Sequence, residues 1–293
     1  MGDSEGRTAQ VMVLADGRQL GYAEWGADTS DKVVFDIHGG PGCRLSVSGD
    51  LETVARSGVR WITIDRAGLG LSWPHPGRTV ADFASDLGQL ADHLEIGRFS
   101  VVGWSMGGPY AAAVAAAFPD RVDAAVLLAP APVYVTAPDG AERMGKDFAW
   151  VLARDDPWQM GQLYTALALE ARRNPSLAVR LFVGSGEGVS PSEAAAVADP
   201  IVAQGLVDVL VEATRQGATG LVDDMRVLLA PWAFDLASIT VPITLWQGDE
   251  DSWVRADSPA EWAKAVPGLM IRNLPGDGHL FVYHRTDELL AAL

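Results

Sequence analysis

The run Gly103-Trp104-Ser105-Met106-Gly107 sits between an apolar stretch, Phe99-Ser100-Val101-Val102, and an alanine-rich segment from Pro109 to Phe118. A serine with glycine two places before and two places after it, at a strand-to-helix joint, reads as a nucleophile elbow. So tight a turn would drive side chains at 103 and 107 into neighbouring backbone, while the serine Oγ is pushed into the open. Pro109 suits the first turn of a helix, where its missing N–H costs nothing. Ala111 to Ala117 is a strong helix former with side chains small enough to pack close to a sheet.

The text around this joint alternates in the same way. Gln10 to Leu14 and Gln19 to Trp25 read as strands joined by a turn at Asp16-Gly17. Further β-rich runs fall at Val33 to Ile37, Val59 to Ile64, Phe99 to Val102 and Ala124 to Leu128, with helical patterns at Asp50 to Ser57, Val80 to Leu94 and Pro109 to Phe118. Strands alternating with helices imply a parallel sheet covered on both faces. From about Ala131 to Phe234 strand-like runs nearly vanish, and Trp, Met, Ala and Leu recur at helical spacing, as in Trp158-Leu163-Leu167. Pro130-Ala-Pro132 and Ala230-Pro231-Trp232 punctuate this stretch. The strand pattern resumes at Ile243 to Gln247 and Met270 to Leu274, and a last helix starts near Thr286. Residues 1–130 and 236–293 are therefore expected to form one α/β core, and 131–235 a helical cap inserted in it. Gly184-Ser-Gly-Glu-Gly188 lacks a preceding strand and a correctly placed third glycine, so it reads as a loop and not as a nucleotide site.

Composition excludes several classes. With 38 acidic and 22 basic residues the formal charge is −16, which leaves no basic surface for nucleic acid. The single cysteine, Cys43, rules out an intramolecular disulfide and a cysteine-based zinc site, and suits a reducing cytoplasm. Its expected state is a small buried apolar group beside the loop that follows the third strand. The first residues lack the features of a signal peptide and Gly6 stands where a myristoylation signal wants Ser or Thr. No apolar run approaches the length of a membrane span, and Pro175 after Asn174 removes the one glycosylation-like triplet. The expected setting is cytoplasmic, with a small-molecule substrate, no membrane insertion, and a monomer or homodimer.

A serine hydroxyl needs a base, the base an orienting acid, and the oxyanion fixed donors. His279, in the glycine-rich loop Pro275-Gly-Asp-Gly-His279 just after the last strand, is the candidate base. Gly248-Asp-Glu-Asp251 ends the strand before it, so either Asp249 or Asp251 could supply the acid. Asp251, three beyond the turn glycine, is preferred. The order Ser, Asp, His along the chain is the one this elbow requires. His38-Gly39-Gly40-Pro41-Gly42 follows the third strand, where glycines let backbone approach a substrate; the N–H groups of Gly40 and Met106 are the candidate oxyanion donors. Trp104, His38 and Trp253 are candidate substrate contacts. Trp150, Trp158, Phe148, Tyr164, Trp232 and Met160 are further aromatic and soft side chains that could line an acyl pocket or simply fill a core.

On His38-Gly-Gly-Pro-Gly42, Asp65-Arg66-Ala-Gly-Leu-Gly70-Leu-Ser72, the elbow, Gly248 with Asp251, and Gly278-His279, the chain resembles the α/β-hydrolase superfamily. The resemblance covers both ends of the chain and leaves the insertion unmatched. It implies a mostly parallel eight-stranded sheet flanked by helices, a helical cap, a Ser105-His279-Asp251 triad, an oxyanion hole at Gly40 and Met106, structural roles for Asp65 and Arg66, and no metal or organic cofactor. The activity implied is that of a serine hydrolase on a small carboxylic ester, amide or lactone. Acyl transfer, C–C cleavage, a lyase or cyclase step, and a non-catalytic binding protein on the same fold are the alternatives. The His-Gly-Gly-Pro-Gly loop also resembles proline iminopeptidases, but those enzymes carry Gly-Gly-Ser-Trp-Gly at the elbow, whereas Trp104 precedes and Met106 follows Ser105 here. An aminopeptidase would also need a cap carboxylate for the free amine. Asp155, Asp156, Glu170, Glu187, Glu193, Glu212, Asp223 and Asp224 are candidates that the sequence does not separate from surface charge.

Overall fold

The computed structural model describes residues 7–144, 148–183 and 189–293. The opening six residues, the glycine-rich 184–188 loop with Glu187, and the side chain of Phe148 lie outside the described residues. Eight strands form one sheet: β1 Gln10–Val13, β2 Gln19–Gly26, β3 Val33–Ile37, β4 Arg60–Ile64, β5 Phe99–Trp104, β6 Val122–Leu128, β7 Ile243–Gly248 and β8 Met270–Leu274. Their spatial order is β1-β2-β4-β3-β5-β6-β7-β8, with β1 and β2 antiparallel and every pairing from β4 onward parallel. This is the mostly parallel sheet that the alternating pattern implies.

The elements form for local reasons. Helix α1, Leu51–Arg56, is capped by the Asp50 carboxylate, which accepts from the Thr53 N–H. Helix α2, Val80–His93, opens on a Thr79/Asp82 capping box and buries Val80, Phe83, Ala84, Leu87, Leu90 and Ala91 on one stripe. Helix α3, Gly107–Ala117, is buried nearly all round, and its alanines let it lie against β5 and β6. It begins two residues before Pro109, because the elbow itself supplies the first turn.

Among the described residues seven α-helices stand between β6 and β7: α4 Gly140–Arg143, α5 Phe148–Asp155, α6 Pro157–Arg173, α7 Pro175–Val183, α8 Pro191–Ala198, α9 Pro200–Ala213 and α10 Thr219–Leu229. Helix α11, Ser258–Ala265, and helix α12, Thr286–Ala291, complete the second part of the core. Among the described residues no single helix is long and apolar enough to cross a membrane.

One core carboxylate works against the fold at neutral pH. Asp36 on β3 has no exposed surface and accepts from the Ser48 N–H at 2.6 Å, the Ser48 hydroxyl at 2.8 Å and the Trp61 indole at 3.0 Å. None of these partners is charged, so burial outweighs them and pushes its carboxyl up to about 6. The folded pKa then lies above the roughly 3.9 of an unfolded chain, so the native state binds the proton more tightly and stability rises as pH falls from about 6 to about 4. Asp36→Asn keeps the shape, accepting with Oδ1 and donating to the Ser48 hydroxyl through Nδ2. It should raise stability at pH 7 by roughly 1–3 kcal/mol and shrink the gain between pH 7 and pH 5. Thermal unfolding of both proteins across that range checks this; a lower midpoint for the variant at pH 7 would contradict it.

Candidate active site

Ser105 sits at the carboxyl end of central strand β5 with φ of +53°, a left-handed conformation that non-glycine residues seldom adopt. The neighbouring backbone fixes it there. Its N–H donates to the Leu128 carbonyl at 2.8 Å, and its carbonyl accepts from Gly108 at 3.0 Å and Ala131 at 2.8 Å. The flanking glycines have identifiable collisions to avoid. A Cβ at Gly103 would lie 2.5 Å from the Gly107 carbonyl oxygen, and one at Gly107 would strike the Ile37 carbonyl.

The loops after β7 and β8 bring the other candidates together. His279 Nδ1 lies 2.9 Å from Asp251 Oδ2, and both side chains are buried. That Oδ2 also accepts from Gln247 Nε2 at 2.8 Å, while Oδ1 takes the N–H groups of Trp253 at 2.8 Å and Val254 at 2.9 Å. Burial works to raise the Asp251 pKa, but the His279 charge and hydrogen bond and the two backbone donors outweigh it and hold the carboxyl below the usual carboxylate range. Asp249, the other acid left open by the sequence, points away and accepts from the Gly276 N–H at 2.7 Å. With Nδ1 donating to Asp251, the imidazole presents Nε2 as a free acceptor.

Gly40 and Met106 lie against each other: a Cβ at Gly40 would overlap the Met106 thioether, and one at Gly39 would come within 3.2 Å of Ser105 Cβ. Among the described residues neither the Gly40 nor the Met106 N–H has an acceptor. His38 behaves differently from the expectation of a substrate contact. Its side chain is fully buried behind the glycine loop, with Nδ1 at 2.7 Å from the Gly39 carbonyl and Nε2 at 3.5 Å from the Arg66 N–H. Burial, then the Arg66 charge, push the imidazole down to about 3, so it is a neutral strut within the loop. The glycine-rich motif leaves room for a side chain to turn inward, and Arg66 supplies its partner.

Arg66 itself anchors that loop. Its guanidinium donates to the carbonyls of His38 and, at 3.0 Å, Gly39, and grips Asp224 on α10 with a closest contact of 2.6 Å. The Tyr110 hydroxyl donates to the same carboxylate at 2.9 Å, and Arg78 approaches to 3.6 Å. Burial opposes the Asp224 charge, but Arg66 overrides it and holds the carboxyl down to about 2.

The cavity over Ser105 is lined by Gly39, Gly40, Pro41, Ser46, Trp104, Ser105, Leu206, Val209, Trp253, His279 and Tyr283. Its free space of about 20 Å³ is room for one water. Trp253 and Trp104 flank the imidazole at 4.7 and 5.6 Å between ring centroids, and Trp104 Nε1 donates to the His279 carbonyl at 3.3 Å. Trp150, Trp232, Met160 and Tyr164 are instead buried in the main hydrophobic core, and Trp158, 73% exposed, lines a separate surface groove. Pro41 belongs to the glycine-rich motif, whereas Ser46, Leu206, Val209 and Tyr283 carry no sequence signal, since each is an ordinary residue placed by packing. Cys43 is buried and absent from the lining, its Sγ facing the Val209 carbonyl at 3.6 Å. Of the described acidic candidates in the insertion none lines the cavity. Among the described residues no cluster of three or more His, Cys, Asp or Glu is placed to hold a metal ion.

Residues 32–285 match the family model described as alpha/beta hydrolase fold. The chain belongs to the α/β-hydrolase family. It is 39% identical over 125 residues to a putative non-heme haloperoxidase of Mycobacterium phage D29, a match covering 41% of this chain and 42% of that protein. It is 27% identical over 260 residues to a putative non-heme chloroperoxidase of Synechocystis, covering 86% of each. The chain thus spans less than half the length of the first relative and most of the second. Among solved structures, a thermophilic esterase from Thermogutta terrifontis superposes with a TM-score of 0.65 at 21% identity, over 97% of this chain and 96% of that one. At that identity the likeness is one of fold.

Proposed function

We propose that the protein is a serine hydrolase that cleaves small, uncharged carboxylic esters or lactones through an acyl-enzyme on Ser105. The observation that carries this is the cavity lining: among the described residues, apart from His279, whose partner Asp251 lies behind it, no carboxylate, lysine or arginine borders the space in front of Ser105. His279 Nε2 takes the Ser105 hydroxyl proton as Oγ bonds to the substrate carbonyl carbon. Asp251 holds Nδ1–H and stabilises the imidazolium. The Gly40 and Met106 N–H groups receive the oxyanion, each such donor being worth about 2.7–4 kcal/mol. The C–O bond breaks as His279 returns the proton to the leaving alcohol. Water, deprotonated by the same nitrogen, then releases the acid and restores Ser105.

Trp104, Trp253, Leu206 and Val209 make the acyl end apolar, and the helices between β6 and β7 act as its cap. A free α-ammonium group would find no carboxylate in this lining, which is why the aminopeptidase reading is set aside. A panel of p-nitrophenyl acetate and butyrate, a five- or six-membered lactone, and L-proline p-nitroanilide tests this. The neutral esters or lactone should turn over, with the prolyl anilide slower by at least a hundredfold. Preferential cleavage of the prolyl anilide would overturn the substrate class.

A further inference from the structure

Glu193 lies on α8, inside the insertion, and its side chain has no exposed surface. It forms a capping box with Ser190, whose N–H donates to Oε2 at 3.1 Å. The box is completed by the Glu193 N–H donating to the Ser190 hydroxyl at 3.1 Å, so it asks only one bond of the carboxylate. Here the remaining lone pairs go elsewhere. Oε2 accepts from the Ser252 hydroxyl at 2.8 Å, and Oε1 from the His279 N–H at 3.2 Å and the Ser252 N–H at 3.4 Å. A buried carboxylate is tolerated only when satisfied in this way. The approach requires glycine at 278, where a Cβ would come within 2.9 Å of Glu193 Cγ, and the adjacent Ser192 hydroxyl accepts from the Gly278 N–H at 2.9 Å.

We propose that Glu193 is a positioning residue through which the closed cap sets His279 against Asp251. The proposal rests on the assignment of His279 as the base for Ser105. One carboxylate ties the residue after Asp251 to the backbone of His279, so it fixes both ends of the Asp251–His279 hydrogen bond from behind. Leu206 and Val209, which roof the cavity, lie on α9, and only Asp199 separates α9 from α8. The free space over Ser105 has room for about one water, so on this proposal the roof moves to admit a substrate. Return of the roof then carries Glu193 back onto the His279 loop, so completion of the proton relay is coupled to enclosure of substrate.

Two conservative variants separate reach from charge. Glu193→Asp keeps the charge and shortens the side chain by one methylene, withdrawing it from His279. Glu193→Gln loses the charge and keeps an acceptor within reach. On p-nitrophenyl acetate the Asp variant should lose at least tenfold in kcat with KM changed less than twofold, and the Gln variant should stay within threefold of the parent. Ser190→Ala, which removes the helix cap without touching His279, should lower the melting temperature and leave kcat within twofold. Exchange of the His279 backbone amide, followed by NMR, should quicken in the Asp variant alone. Parent-like kcat in both variants, the reverse order, or a kcat loss in Ser190→Ala equal to that of the Asp variant overturns the proposal. Were the parent inactive on the ester, or turnover to survive Ser105→Ala, the assignment of Ser105 would fall. The amide exchange would then judge Glu193 on its own: unchanged exchange in the Asp variant overturns the contact itself.

Discussion

Ser105→Ala should abolish ester turnover, by at least about 10⁴-fold in kcat, while the protein folds and melts like the parent. Both halves of that expectation come from the elbow. The strained backbone at residue 105 is held by hydrogen bonds from the main chain alone, to Leu128, Gly108 and Ala131, and these do not involve the hydroxyl. Alanine tolerates the left-handed region no worse than serine, so the turn, the cavity and the free N–H groups at Gly40 and Met106 persist. What disappears is the atom proposed to bond to the carbonyl carbon. A fluorophosphonate probe should label the parent once per chain and leave the variant unlabelled, and peptide mapping should place the adduct on Ser105. Asp251→Asn offers a graded companion. The amide cannot fix the same imidazole tautomer, so kcat should drop by about 10³–10⁴ with labelling slowed and not lost. Steady turnover by purified Ser105→Ala at the parent rate would refute the mechanism outright.

The parts of this site that could be read in the sequence are those whose cause is local. The elbow is legible as a five-residue pattern: glycine at 103 avoids the Gly107 carbonyl within the same turn, while glycine at 107 avoids the Ile37 carbonyl of the neighbouring strand. His279 and Asp251 are legible because each follows a strand by a few residues, and the carboxyl edge of a parallel sheet gathers such loops. Strand limits shift by only a residue or two, as where β5 extends to Trp104 and β6 begins at Val122. Glu193 and Asp224 were visible only as two acids among several. Ser190-Pro-Ser-Glu193 does carry a capping-box signature, but that pattern predicts a helix start and nothing about a histidine 86 positions away. Asp224 meets Arg66 across 158 positions. Such pairings depend on how the insertion settles on the core, and helical periodicity holds no information about that. His38 fails for a related reason: a motif fixes where its backbone goes, while the direction of its one large side chain is set by Arg66.

Asp224→Ala should be the most destabilising single change in the insertion, by about 3–5 kcal/mol, because it strands a buried guanidinium. Arg66 is 1% exposed and would keep the carbonyls of His38 and Gly39 and the face of Tyr110 but no anion, with Arg78 left as a second cation beside it. The pH dependence carries the same signature. With a folded pKa near 2 against roughly 3.9 unfolded, Asp224 contributes stability above pH 4 that is lost as pH falls from about 4 toward 2. Asp224→Asn should flatten that part of the acid limb in a series of urea melts. Replacing both partners tests whether the pair serves stability or geometry. Arg66→Met with Asp224→Leu removes the stranded charge, so much of the stability should return relative to Asp224→Ala. Activity should not return with it. Methionine cannot donate to the His38 and Gly39 carbonyls, so the loop that aims the Gly40 N–H loses its anchor, and a donor misplaced by about an ångström costs of order 10²-fold. A double variant that regained both stability and kcat would show the ion pair to be packing alone. Stability regained with kcat still depressed at least tenfold is the expected result, and it would make Arg66 the link through which α10 holds the proposed oxyanion loop in register.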